Sequence, residues 1–155
     1  MSGIYIHIPF CKKACHYCNF HFSTNQNSKS AFIKAVCKEL RLRKSEFDSQ
    51  LIQTIYFGGG TPTVLEVSEL EVILQTVYEY YKISDTPEIT LEANPDDLDF
   101  EKLKALSKTK INRLSIGIQS FHESDLSTMN RAHNADEAKK CLEIATPYFD
   151  NITID

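Results

Sequence analysis

The stretch Cys11-Lys12-Lys13-Ala14-Cys15-His16-Tyr17-Cys18 places three thiols within eight residues. Three thiolates this close in sequence can face a common centre only where the backbone is free to wrap around it, so we predict a loop here. Such a thiolate set suits an iron–sulfur cluster, zinc or copper(I). The spacing C-x3-C-x2-C differs from the C-x2-C pair of many zinc sites and from the C-x2-C-x2-C run of ferredoxins.

The number of cysteines in this loop also matters for its chemistry. Three protein ligands would leave one iron of a four-iron cluster open to a substrate or cofactor. The alternative is a structural zinc site completed by His16 or His21. Structural zinc sites more often combine two separated pairs of ligands, so the spacing favours the cluster.

The chain beyond this loop alternates predicted strands with predicted helices. We predict a first helix over 30–47 and a second that begins at a capping box formed by Ser68 and Glu71. A short third helix should contain an inward-facing Phe100, and a fourth should begin at Asn134 with Glu137. The predicted strands are 3–8, 54–57, 88–92, 113–118 and 151–155. Four strand–helix repeats indicate an α/β fold with a parallel sheet, so we predict a partial, TIM-like β/α barrel.

Residues able to bind ligands follow these strands directly. The cysteine loop follows the first strand and Gly58-Gly59-Gly60 the second, while Glu92, Gln119 and Asp155 end the other three. Active sites of β/α barrels lie at the C-terminal ends of the strands. We therefore predict one composite site built from five strand ends.

The cysteine motif, with Tyr17 just before its third cysteine, resembles that of the radical S-adenosylmethionine (SAM) enzymes, in which SAM binds the open iron. Residues 5–10 (YIHIPF) and 58–63 (GGGTPT) narrow the similarity to the oxygen-independent coproporphyrinogen III oxidases and the related haem chaperones. The resemblance covers essentially all 155 residues. It implies that residues 1–155 are the N-terminal portion of a single radical SAM domain, whose barrel is incomplete at the C-terminus.

This resemblance implies two cofactors. A [4Fe–4S] cluster would be held by Cys11, Cys15 and Cys18, and its electron would cleave SAM to a radical that abstracts hydrogen; we assign no further catalytic residue. By similarity, the residues that contact SAM are Tyr5, Tyr17, Gly59, Gly60, Thr61, Glu92, Gln119, Arg131 and Asp155. The alternatives are core packing for Tyr5, an aromatic lid that shields the cluster for Tyr17, and a tight turn for the glycines. For Glu92, Gln119, Arg131 and Asp155 the alternative is an ordinary surface or capping role.

One departure from the oxidase pattern separates the two branches of the family. In the oxidases a further cysteine follows the triplet as C-x-C, whereas here Asn19 and Phe20 follow Cys18. This favours a haem chaperone, with haem as an additional ligand. The alternatives are an oxidase that decarboxylates two propionates of coproporphyrinogen III, and a zinc-stabilised binding module. The sequence therefore does not decide whether the protein is an enzyme.

The family resemblance also implies partners. They are haem or a porphyrinogen, an electron donor such as flavodoxin or ferredoxin, and haem-accepting proteins.

Composition sets broader limits. The chain is 42% hydrophobic, enough for one core, and its net charge of −4 with scattered Lys and Arg argues against nucleic-acid binding. No apolar run approaches the roughly 20 residues that cross a membrane. Five cysteines, three of them clustered, argue against a disulfide scaffold and predict a cytoplasmic protein. We expect Cys37 and Cys141, each on an apolar helix face, to be core residues.

Overall fold

A five-stranded parallel sheet organises the chain in this computed structural model, which describes residues 2–47 and 50–155. The strands lie in chain order, with neighbours paired in parallel. They are β1 Ser2–Ile8, β2 Ile52–Gly59, β3 Ile83–Ala93, β4 Arg113–Ile116 and β5 Ile152–Ile154. The helices are α1 Lys29–Leu42, α2 Val67–Tyr80, α3 Phe100–Leu106, α4 Glu123–Thr128 and α5 Ala135–Ala145. The predicted α/β fold with parallel strands is confirmed.

The two faces of this sheet differ in chemistry because side chains alternate along each strand. One face is apolar: Ile55, Phe57 and Leu91 are fully buried in the core shared with the helices. The other, which we call the inner face, carries at neighbouring register positions Tyr5, Tyr56, Thr90 and Arg113. A parallel sheet is usually apolar on both faces, so this polar inner face is a feature to be explained by function.

The first helix is shorter than predicted. It ends at Leu42, and a separate 3-10 turn spans Lys44–Phe47. The apolar stripe stops at Leu40, and Leu42 is 71% exposed. Arg43 then pairs with Glu39 and Glu46 on either side of the break. The prediction of one continuous helix to Phe47 was wrong, because no residue of the chain from 41 to 47 is fully buried in the core.

The helix starts were predicted with mixed success. The capping box of Ser68 and Glu71 was wrong, since α2 begins at Val67 and the Glu69 carboxylate accepts a hydrogen bond from the Glu66 N–H at 2.8 Å. The start of α5 was correct. The Asn134 side chain accepts from the N–H of Glu137 at 2.8 Å, and the Glu137 carboxylate accepts from the N–H of Asn134 at 2.9 Å.

Two further features differ between prediction and structure: the exposure of Phe100 and the end of the fourth strand. Phe100 does not face inward; it begins α3, is 51% exposed and packs edge-on against Tyr148. The fourth strand ends at Ile116 rather than at Ile118. Cys37 and Cys141 are buried in the core as predicted.

Truncating a core residue of the central strand should destabilise the fold. Leu91→Ala removes a fully buried side chain from β3, and we expect the free energy of unfolding to fall by about 2–5 kcal/mol. Leu42→Ala makes the same chemical change at an exposed site, and we expect a change of no more than about 0.5 kcal/mol. Chemical denaturation followed by circular dichroism measures both; equal losses would contradict the described core.

Candidate functional site

A cavity of about 330 Å³ lies at the C-terminal ends of the strands. The loop after β1 contributes the three thiols, and the ends of β2, β3 and β4 contribute glycines, Glu92 and Gln119. All five strands contribute lining residues, since Asp155 follows β5. From the predicted set, the structure brings together in this cavity Cys11, Cys15, Cys18, Tyr17, Gly59, Gly60, Thr61, Glu92, Gln119, Arg131 and Asp155.

Tyr5 is the one predicted site residue that does not line this cavity. It lies on the inner face of β1, 58% exposed, with its ring against Tyr56 and its hydroxyl 3.2 Å from Nδ1 of His7. Tyr5 lies before the end of β1, in register with Tyr56, and so it projects from the inner face beside the cavity rather than into it.

The cysteine loop is held by backbone contacts to other parts of the chain. The Cys11 N–H donates to the Ser23 carbonyl at 3.0 Å, and the His16 N–H to the Met129 carbonyl at 3.1 Å. The Asn130 amide donates to the Ala14 carbonyl at 2.8 Å. These bonds place the loop between the segment that leads to α1 and the C-terminal turn of α4.

The arrangement of the thiols bears on the kind of metal group they could hold. In residues 2–47 and 50–155, no three histidine, cysteine or carboxylate side chains converge as a ready-made site for a single ion. The three thiols share one cavity, so they could ligate either a cluster or a single zinc ion. His16 and His21, the candidate zinc ligands, do not line the cavity.

Burial raises the pKa of the Cys11 thiol, and the neighbouring Cys18 and Cys15 raise it further. The Thr61 hydroxyl, 3.5 Å from the Cys11 sulfur, lowers this pKa by donating a hydrogen bond to the sulfur. Cys11 is therefore held as a neutral thiol, and a bound metal group would lower its pKa by stabilising the thiolate.

The glycine turn is shaped by its contact with the cysteine loop. A Cβ on Gly60 would lie 2.7 Å from the Phe10 carbonyl oxygen and 3.0 Å from the Cys11 sulfur. Gly59 has a φ of 113°, which favours glycine, and a Cβ there would lie 2.6 Å from the His7 ring. The glycines therefore let the end of β2 pack directly against the cysteine loop.

Glu92 is fixed in orientation by two donors. One carboxylate oxygen accepts from the Tyr56 hydroxyl at 2.7 Å, and the other accepts from the Gly59 N–H at 3.1 Å. Burial and the adjacent Glu92 carboxylate raise the pKa of Tyr56 to about 12. Tyr56 therefore stays protonated near neutral pH and holds Glu92 at the cavity wall.

Arg131 connects the cysteine loop to the ends of two strands. Its Nη1 lies 3.4 Å from the Cys15 sulfur and donates to the Tyr17 hydroxyl at 3.1 Å. Its Nη2 donates to Asn94 Oδ1 at 2.9 Å and also to the Gly117 carbonyl. Within the described chain its buried Nε has no partner, which leaves one donor for a ligand.

The end of β4 carries an unusual backbone conformation. Gln119 has a φ of 70°, in the left-handed region that residues other than glycine seldom adopt. Its N–H donates to the Asp155 carbonyl at 2.7 Å. Such conformations cluster at functional sites, and this one brings Gln119 and the residue that follows β5 to the cavity wall.

Comparison with known proteins identifies the family. The model of the radical SAM superfamily matches residues 5–155. This chain belongs to the radical SAM superfamily. Across its full length it is 36% identical to "Heme chaperone HemW" of Bacillus subtilis, and across 99% it is 37% identical to the same-named protein of Lactococcus lactis subsp. lactis. It spans about two fifths of the length of these relatives, 42% and 40% respectively.

A solved structure agrees with this assignment. The coproporphyrinogen III oxidase HemN of Escherichia coli superimposes on 99% of the chain with a TM-score of 0.90 and 27% identity. The match covers 36% of that protein. The predicted resemblance to the oxidase and chaperone group of radical SAM proteins is confirmed. In the described residues of this radical SAM chain, no helix combines the length and apolarity needed to span a membrane.

Membership in this family implies a [4Fe–4S] cluster and SAM. The donor set fits both groups: three thiols share a cavity, and a carboxylate, a guanidinium and backbone groups line its remaining walls. The unpartnered Nε of Arg131 fits an anionic ligand in particular.

Sequence reasoning missed an ion pair that anchors the cysteine loop of this radical SAM chain from outside. Lys12 pairs with Asp97 and lies 3.3 Å from Asp96 Oδ2. The Asp97 side chain is 2% exposed, and it also accepts from the Thr63 hydroxyl at 3.0 Å. The only sequence signal was the position of Asp97 shortly after the third predicted strand, at the rim that holds the other site residues.

Removing this cation should destabilise the protein because Asp97 would keep a buried charge. We expect Lys12→Met to lower the free energy of unfolding by about 1–3 kcal/mol. The matched control is Lys29→Met, which breaks an ion pair of 3.0 Å with Glu69 between α1 and α2, where both side chains are partly exposed. We expect the control to cost no more than about 1 kcal/mol. Chemical denaturation separates the two, and a smaller effect at Lys12 than at Lys29 would refute the anchoring role.

Proposed function

We propose that Cys11, Cys15 and Cys18 hold a [4Fe–4S] cluster and that SAM occupies the rest of the cavity beside them. The observation that carries this proposal is the presence of three thiols without a disulfide in one cavity with the ends of all five strands. When bound, the cluster supplies the electron for reductive cleavage of SAM. The protein's own part is to bind, to orient and to exclude water.

The residues of the cavity suit the charged end of SAM. Its carboxylate would meet the guanidinium of Arg131, which has an unused donor. The N–H groups of Gly59, Gly60 and Thr61 already bond to Glu92, Ile8 and Phe10. This turn can therefore offer only carbonyl oxygens, which suit the ammonium group of SAM.

The remaining polar side chains suit the nucleoside end. Glu92, held by Tyr56 and Gly59, presents acceptors for ribose hydroxyls. Gln119 and Asp155, which are linked through their backbones, line the same wall. Tyr17 lies between two of the cysteines and would border the adenine. Tyr5 does not line the cavity, and its contact with SAM remains a prediction from the family resemblance.

We further propose that the chain acts in haem metabolism as part of a haem chaperone. Asn19 and Phe20 stand where the oxidase pattern has its additional cysteine, and the sequence relatives named above are haem chaperones. Partners would then be haem, haem-accepting proteins, and an electron donor such as flavodoxin or ferredoxin, in the cytoplasm. The second candidate is a coproporphyrinogen III oxidase, which the structural match to HemN favours.

Replacing any one of Cys11, Cys15 and Cys18 by Ala should abolish cluster assembly. After anaerobic reconstitution we expect about four irons and four sulfides per chain in the unmodified protein, and less than about one of each in these variants. Cys37→Ala and Cys141→Ala are the controls, since these cysteines are buried in the core away from the cavity, and they should retain the cluster. A colourless protein that binds one zinc would contradict the proposal.

Haem binding and porphyrinogen turnover separate the two functional candidates. We expect the anaerobically reconstituted protein to bind haem stoichiometrically in an absorbance titration. We also expect no vinyl-porphyrin product from coproporphyrinogen III when SAM and a reductant are supplied. Product formation without stable haem binding would instead establish the oxidase.

A further inference from the structure

An exposed aromatic side chain stands at the mouth of the cysteine cavity. Phe20 lines the cavity, yet its side chain is 71% exposed. Phe22, two residues further on, also lines it and is half-buried. The described residues include other large exposed side chains, but Phe100, for example, rests against the Tyr148 ring, whereas Phe20 and Phe22 pair with no aromatic ring of the described chain.

The cavity behind Phe20 has room for one small ligand. At about 330 Å³ the cavity is at the lower end of the range for a single small ligand, roughly 300–1,000 Å³. The proposed SAM would use this space. Because the ring of Phe20 is largely open to solvent, it remains available to a ligand that covers the mouth.

A cation lies at the same mouth. Lys13 lines the cavity, is exposed, and its ammonium group donates to the Arg131 carbonyl at 3.1 Å. Within residues 2–47 and 50–155 no carboxylate lies within ion-pair distance of it. An apolar ring beside an uncompensated ammonium group suits a ligand with a flat apolar face and an anionic edge.

We propose that Phe20 is the stacking surface for a tetrapyrrole, with Phe22 as a second apolar ring lining the same cavity, and that Lys13 pairs with one of its propionates. This inference rests on the proposed function in haem metabolism and adds the residues that would bind the macrocycle. It also explains why the chain has Phe20 rather than a fourth cysteine in this motif. Phe20 occupies the position of the additional cysteine, so this chain has an exposed aromatic ring where the oxidase pattern has a thiol.

Haem titrations of anaerobically reconstituted variants test the stacking surface. Phe20→Ala and Phe20→Cys should bind haem at least about tenfold more weakly, equivalent to about 1.4 kcal/mol. Phe20→Trp keeps a flat ring and should stay within about threefold of the unmodified protein. Phe100→Ala removes a comparably exposed phenylalanine from α3 and should leave the affinity unchanged. Iron content and SAM binding should be the same in all four variants.

A second ligand isolates the role of Lys13. Haem dimethyl ester keeps the flat ring but has no carboxylates. Lys13→Ala should weaken haem binding by about threefold without affecting the ester, whereas Phe20→Ala should weaken the binding of both ligands.

The outcomes distinguish this inference from the function on which it rests. If the unmodified protein binds no haem, the proposed function and the inference both fail. If it binds haem and Phe20→Ala binds equally well, the inference alone is overturned. Loss of iron or SAM binding in Phe20→Ala would show a structural role and would likewise overturn it.

Discussion

The contact between the glycine turn and the cysteine loop is the constraint on which the rest of the site depends. Gly60 lies so close to Phe10 and Cys11 that no side chain fits between them. Its N–H donates to the Ile8 carbonyl at 2.8 Å, and the N–H of Thr61 donates to the Phe10 carbonyl at 2.7 Å. The parallel pairing of β1 and β2 thus continues past the strand ends, and it sets the Cys11 sulfur against the cavity wall.

Two further side-chain contacts hold the loop. Arg131 reaches Cys15 and Tyr17 from the segment after α4, and Lys12 pairs with Asp97 after β3. Asn94, which also follows β3, bonds to Arg131 and to Thr61 and so connects Arg131 to the ends of β2 and β3. A loop held from several sides keeps its thiols in place while one side of the cavity stays open. This combination is what a cluster with one accessible iron requires.

Much of the fold and of the site was predictable because local patterns determine them. Strand and helix periodicity, with the Asn134 cap, predicted the order of the five strands and of all helices except α4, which was missed. The strand ends indicated where ligand-binding residues would meet. The pairing of Lys12 with Asp97 was not predictable, since these residues are far apart in sequence and only the folded chain brings them together. The end of α1 was missed because burial, rather than helix propensity, decides it. The exposure of Phe20 is likewise a property of the folded loop, which its sequence neighbours do not indicate.

The most direct test of the central claim is electron paramagnetic resonance of the reduced, reconstituted protein with and without SAM. If three cysteines hold a four-iron cluster with one open iron, the protein will give the signal of a reduced [4Fe–4S] cluster, and saturating SAM will shift its g values. A cluster signal that SAM leaves unchanged, or the absence of any iron–sulfur signal after reconstitution, would contradict this account.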